Sequence, residues 1–165
     1  MPTNKIDTYD AVYGSPIGQL GVIIDSQSLT SLDWLSGSVS IMAPISRPAG
    51  EVCDSLDAYF TSACDVPDCR LTLHGTDFQQ RTWHALMAIP AGQVMTYGEL
   101  AKQLNTSSRA IGQACRTNPI AILIPCHRIV AVNGIGGYMG ASPQLQIKQW
   151  LLEHEGAQWL RTARH

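Results

Sequence analysis

The chain has no apolar run approaching the roughly 20 residues that a membrane-spanning helix requires. Its first residues, Met1-Pro2-Thr3-Asn4-Lys5, lack the apolar segment of a secretory signal. The expectation is a cytoplasmic protein with no membrane partner. Paired cysteines are also missing: the five are Cys53, Cys64, Cys69, Cys115 and Cys126, with none before Cys53. An odd number without an export signal predicts free thiols and not a disulfide framework. Cys64 and Cys69 could be half of a tetrahedral metal site, but no second pair follows them. No metal and no other cofactor is therefore expected. A general basic excess is absent too, because the net charge is −2.

The charge that is present is unevenly placed. Residues 1–73 hold three basic against nine acidic residues, a balance of −6, and residues 74–165 hold eight basic against four acidic, +4. Such a chain can turn a basic face to phosphate while keeping an acidic back. Two domains that differ only in charge would look the same. With 165 residues, 45% apolar and 15% charged, the chain can build one large domain or two small ones around a real core.

Residues 1–73 read as scaffold. Ala11-Val12-Tyr13, residues 20–24 and residues 29–35 are strand-like, and the turn-rich Gly14-Ser15-Pro16-Ile17-Gly18 separates the first two. Residues 36–49 are rich in Ser, Pro and Gly and predict a loop. Val52, Leu56, Tyr59 and Phe60 repeat at helical spacing, and residues 69–73 suggest a short strand. No catalytic constellation is found here.

Residues 74–165 read as helical. Thr76 and Gln79 have the form of a capping box for a helix running to about Ile89, where Pro90-Ala91-Gly92 stops it. Tyr97, Leu100, Ala101 and Leu104 mark a second helix, and residues 108–117 a third. The third turns Ala110, Ile111, Ala114 and Cys115 inward and Arg109, Gln113 and Arg116 outward. Two short helices joined by a tight turn, the second basic outside and built from small residues, suit a helix-turn-helix reading a groove. An ordinary solvated surface helix would carry the same arginines. Residues 131–140 are a glycine-rich loop around Tyr138, suited either to close backbone approach to a flat ligand or to a plain hairpin connection at Asn133-Gly134. A last helix is expected over residues 142–154, ended by Glu155-Gly156.

Between these lies the most telling stretch, residues 122–130, in which an apolar run delivers Cys126 and His127 straight after Pro125. A residue before proline is held extended, so a buried strand leaving at Ile124 and a sharp turn at Pro125 are expected. A histidine beside a cysteine can take its proton, because the thiolate is the nucleophile. A buried structural cysteine next to an incidental histidine is the plainer alternative. Glu155 could orient His127 in a Cys-His-Glu relay, or could be a charge at a helix end.

Pro125-Cys126-His127-Arg128, with Asn118-Pro119 upstream, closely resembles the active-site signature of the O6-alkylguanine-DNA alkyltransferases, the methylated-DNA–protein-cysteine methyltransferases. The resemblance runs over residues 75–157 and more weakly into residues 14–18. It implies an α+β protein, with a ribonuclease-H-like N-terminal α/β domain over residues 1–73. A helix-turn-helix, winged-helix-like C-terminal domain over residues 74–165 would follow. It implies irreversible, once-only transfer of a methyl or larger alkyl group from guanine O6 to Cys126, which could extend to thymine O4. The partner would be double-stranded DNA, bound through the minor groove by a monomer. In the catalytic set it puts Cys126 as acceptor, His127 as base acting through a water, Glu155 polarising it, Asn118 bracing the turn and Tyr97 rotating and then contacting the guanine. Substrate contacts fall to Tyr97, Cys126, Ile129, Tyr138, Met139 and Lys148. DNA contacts fall to Arg109, Ala110, Gly112, Gln113, Ala114, Arg116 and Arg128.

The chain departs from the family where Tyr138-Met139-Gly140 replaces Tyr-Ser-Gly, which bears on the alkyl groups accepted. A non-catalytic binder of alkylated DNA is the alternative, opposed by the retained Cys126. A regulator of the same family would need an N-terminal zinc domain with several cysteines. An unrelated cysteine hydrolase would need an oxyanion hole that no motif here supplies.

Overall fold

A computed structural model describes residues 8–37, 39–62, 65–66, 68–138 and 144–159. The chain packs as two units, Met1–His74 with Pro119–Ala121, and Gly75–Asn118 with Ile122–His165.

In the first unit, strands β1 (Ala11–Ser15), β2 (Gly18–Asp25) and β3 (Ser28–Leu35) form an antiparallel sheet in the order β1-β2-β3. The register pairs Val12 with Gly21 and Val22 with Leu32, which sets Val12, Leu20, Val22, Leu29 and Leu32 into the core. Ser26 and Gln27 close the β2–β3 hairpin with positive φ at both positions, the twist that a two-residue hairpin loop favours. Helix α1 (Arg47–Ser62) carries Pro48 in its first turn, where the missing N–H costs nothing. Its buried residues include Val52, Leu56 and Tyr59, positions given by the sequence period, and its first three residues, 47–49, lie inside the expected loop. Residues 69–73 make no strand: Leu71 contributes one isolated parallel bridge to Leu29. Ile120 adds a second such bridge to Leu32, which is why Pro119–Ala121 belong to this unit.

The second unit begins with α2 (Asp77–Met87), whose Thr76 and Gln79 form the reciprocal capping box. Trp83, 1% exposed, anchors it by donating from Nε1 to Ala114 O at 2.9 Å. β4 (Met95–Thr96) runs parallel to β5 (Ile129–Val130). Thr96 and Glu99 form another capping box for α3 (Tyr97–Gln103). The helix ends in a Schellman turn, with Thr106 N–H on Ala101 O, Asn105 N–H on Lys102 O, and Asn105 left-handed at φ 55°. Ser107 then caps α4 (Ser108–Arg116). α5 (Leu145–His154) starts later than expected, and residues 142–143 lie outside the described residues. It closes in a second Schellman turn, with Ala157 N–H on Leu152 O and Gly156 N–H on Glu153 O. The turn needs a left-handed residue after the cap, and Gly156 supplies it at φ 73°. Among the described residues no helix is long and apolar enough to cross a membrane.

Candidate active site

The segment leading to Cys126 is not the strand that the proline predicts. Residues 121–123 turn, and Ile122 sits left-handed at φ 71°, an outlying conformation for a β-branched side chain. Pro125 (φ −81°, ψ 64°) occupies the centre of an inverse γ-turn, closed by Cys126 N–H on Ile124 O at 2.8 Å. Cys126, His127 and Arg128 then form one 3₁₀ turn, all three buried. Lacking a ladder in this stretch, its backbone depends on side chains for part of its hydrogen bonding.

Asn118, just past the end of α4, supplies that support. Its Nδ2 donates to Ile124 O at 2.8 Å and to Cys126 Sγ at 3.1 Å. Burial pushes the Cys126 thiol up to about 11, against the Asn118 hydrogen bond and the Lys148 charge, which pull it down. At neutral pH the resting sulfur is a thiol.

His127 Nε2 lies 2.7 Å from Glu155 Oε1, with both side chains fully buried. A carboxylate accepts, so Nε2 carries the proton and the lone pair is on Nδ1. Nδ1 is buried and has no hydrogen-bond partner among the described residues. Burial holds His127 below the ordinary imidazole range despite Glu155, leaving it neutral and able to take a proton. Glu155 owes its place to the Schellman turn of α5, where it is the cap residue. Burial would raise its carboxyl, but His127 and Arg128 outweigh that and hold it down at about 2.

Arg128 does not reach outward as a DNA contact. It is 3% exposed, and its Nε and Nη2 donate to the two oxygens of Glu155 at 3.1 and 3.0 Å while Nη1 donates to Ile89 O. Its partner is a buried carboxylate, so no phosphate can claim it. Ala114 is likewise corrected: it is 2% exposed on the core side of α4. Arg109, Gln113 and Arg116 are exposed on that helix, Ala110 is half-buried, and Gly112 has open space where a Cβ would stand.

Lys148, fully buried, donates to Ile129 O at 2.6 Å and Gly137 O at 2.7 Å, and its ammonium stands 5.8 Å from the Tyr97 ring centroid. It ties the glycine-rich loop to the turn after Cys126. Desolvation lowers it to about 8. Tyr97 is half-buried, donates to Gly137 O at 3.4 Å, and is pushed up by burial to about 12, so it stays a phenol donor. Gly136, left-handed at φ 75°, lets Tyr97 lie close: a Cβ there would stand 3.0 Å from the ring. Tyr138 and Ile129 are buried nearby in sequence, and Met139 lies outside the described residues. Cys53, Cys69, Cys115 and Cys126 are unbridged thiols, and Cys64 is not described. Among the described residues no cluster of three or more His, Cys, Asp or Glu could hold a metal.

Sequence reasoning missed the structural role of Arg128. The signal was present: the residue sits inside an apolar run continuing through Ile129 and Val130, a poor place for a solvent-facing cation. It also missed the Trp83 anchor and the Thr96–Glu99 box, the latter visible as a Thr-x-x-Glu string.

These features define a class: mixed α/β proteins with a buried cysteine nucleophile, a neutral histidine beside it, and a carboxylate fixing the tautomer. Residues 77–157 match the model for the DNA-binding domain of 6-O-methylguanine DNA methyltransferase. A methylated-DNA–protein-cysteine methyltransferase of Methanosarcina acetivorans is 38% identical over 157 residues, covering 90% of this chain and 99% of that one. Among solved structures, the Mycobacterium tuberculosis O6-methylguanine methyltransferase is 38% identical with a TM-score of 0.75, over 88% of this chain and 90% of that one. Mycobacterium tuberculosis OGT in complex with DNA is 37% identical with a TM-score of 0.76, over 93% and 98%. The chain belongs to the methylated-DNA–protein-cysteine methyltransferase family.

Proposed function

We propose that the protein repairs DNA by direct reversal, moving an alkyl group from guanine O6 to Cys126 once per chain. The observation that carries this reading is the Asn118 amide on the Cys126 sulfur beside a neutral His127 fixed by Glu155. His127 Nδ1 takes the thiol proton through a water. The thiolate attacks the saturated carbon on O6, so a C–S bond forms as the C–O bond breaks. The electron pair leaves with guanine, which regains a proton. A thioether has no easy return, so the chain is spent. Hydrolysis would instead need an oxyanion hole and a second step.

DNA is the partner, approached from the minor groove by a helix-turn-helix made of α3 and α4. The exposed Arg109, Gln113 and Arg116, with Ala110 and Gly112 allowing close approach, form that face. A thiol cannot reach O6 inside a stacked duplex, so the nucleotide rotates out. Arg109 fills the gap and Tyr97 contacts the extruded base, with Tyr138, Met139, Lys148 and the carbonyls of Cys126 and Ile129 around it. Residues 1–73 serve as a ribonuclease-H-like scaffold, and the protein acts as a cytoplasmic monomer. Thymine O4 is a secondary substrate.

The test is mass spectrometry after incubation with a duplex carrying O6-methylguanine. One methyl group per chain is expected, on the peptide containing Cys126. Cys126→Ser should bind the duplex and gain nothing. A methyl group on Cys53, Cys64, Cys69 or Cys115, or none at all, would remove the assignment.

A further inference from the structure

His127 and Arg128 follow Cys126 directly on one 3₁₀ turn, and both converge on the carboxylate at the end of α5. Glu155 Oε1 accepts from His127 Nε2 at 2.7 Å and from Arg128 Nη2 at 3.0 Å, while Oε2 accepts from Arg128 Nε at 3.1 Å. One oxygen is therefore shared between an imidazole and a guanidinium. The third arm of Arg128, on Ile89 O, fixes the guanidinium to the chain just beyond α2. A planar fork held at both ends cannot swing away, and no lysine could reproduce it.

The charges around the imidazole decide what this geometry does. A lone buried carboxylate beside a histidine pulls a proton onto the ring, because an uncompensated charge in a low dielectric is costly. The groups facing His127 are Glu155, Arg128 and Lys148, with Cys126 next in the chain. Lys148 is held by the carbonyls of Ile129 and Gly137. Arg128 touches the carboxylate itself, so it cancels the charge that would otherwise protonate the ring.

We propose that Arg128 is a positioning residue of the alkyl-transfer site: by neutralising Glu155 it keeps His127 an uncharged base with its Nδ1 lone pair free. Resting on the reading of Cys126 as alkyl acceptor, this gives the family signature's arginine a task in the chemistry and not on the DNA. Glu155 alone would select the tautomer but charge the ring; Arg128 separates these two effects. The resting site is a thiol and a neutral imidazole, and the proton moves only when an alkylated base is in place.

The experiment follows the His127 ring by NMR against pH in wild type, Arg128→Met, Arg128→Lys and the double variant Arg128→Met/Glu155→Gln, with single-turnover rates on free O6-benzylguanine over the same range. In Arg128→Met the His127 titration should rise by about one pH unit or more, a tenfold change in its protonation ratio, and the limb of the rate profile that follows His127 should rise with it. Arg128→Lys keeps the charge and loses the fork, so its titration should stay near wild type. In the double variant no unbalanced charge remains, and the titration should return to or below wild type. A brace without an electrostatic role would leave the titration unmoved, or move it equally for Lys and Met; either result overturns the proposal. Should Arg128→Met not fold, the other two variants decide, and a titration above wild type in either overturns it. The NMR titration needs no alkyl donor. Failure of wild type to gain a methyl group would therefore sink the repair reading while leaving this measurement standing.

Discussion

Replacing Asn118 with alanine removes two donors at once, one from Ile124 O at 2.8 Å and one from Cys126 Sγ at 3.1 Å. Their consequences differ. Ile124 O keeps the Cys126 N–H of the γ-turn, so the carbonyl is not orphaned and the cost there is that of an ordinary buried hydrogen bond, about 1 kcal/mol. The sulfur is the larger matter. A neutral thiol is a weak acceptor, but a thiolate receives a charge-assisted bond, for which hydrogen bonds to charged groups give about 1.5–3 kcal/mol. Losing it raises the Cys126 thiol further above its present value of about 11. At about 1.4 kcal/mol per pH unit, the thiolate becomes roughly 10- to 100-fold rarer at neutral pH, and the single-turnover rate should fall by about that factor. For a chain of this size each kcal/mol of lost stability lowers Tm by about 2–4 °C. The assay is the rate of Cys126 alkylation by free O6-benzylguanine against pH, beside a melting curve. Followed up to about pH 11, the ratio of wild-type to variant rate should hold level near neutrality, where both thiols are protonated, and shrink as pH approaches the wild-type value of about 11, where hydroxide replaces what the amide contributed. A ratio that stays constant across pH would mean Asn118 only holds the turn. An unchanged rate would refute both roles.

Arg109→Ala should slow repair of duplex O6-methylguanine sharply at saturating protein and leave reaction with free O6-benzylguanine little changed. Equal fractional loss on both substrates would make Arg109 a support of the fold, and full recovery of the duplex rate at saturation would make it a phosphate contact. Acid should destabilise the protein in two stages, followed by Tm against pH. His127 is held below its ordinary value, so the unfolded chain binds more protons and stability falls as pH drops below about 6.5. The Glu155 carboxyl is depressed to about 2, so its contribution is complete above the ordinary value of about 4.3 and is lost on descent toward 2. A Tm independent of pH from 7 to 3 would contradict both assignments.

Local physics made much of this protein legible before any tertiary structure. The Thr76–Gln79 box, the Val52-Leu56-Tyr59 spacing and the Asn105–Ser107 break between α3 and α4 each depend on residues within one or two turns of one another, so composition and spacing suffice. The ordered string Asn118-Pro119 to Pro125-Cys126-His127-Arg128 marked the site for the same reason: its members lie within eleven residues of one another. Only the fold decided which polar groups are buried, because that depends on partners brought from elsewhere in the chain. Arg128 falls among the DNA contacts by resemblance until Glu155 arrives from the end of α5 and Ile89 O from beyond α2. Lys148, put among the substrate contacts by the resemblance, is buried because the carbonyls of Ile129 and Gly137 close over it. Residues 122–124 read as the end of a buried strand because they are apolar and precede a proline, yet Asn118 supplies the donor that a ladder would otherwise provide and lets the chain turn. A buried charge is tolerable only where its counter-charge and donors meet it, and that meeting is a property of the tertiary structure alone.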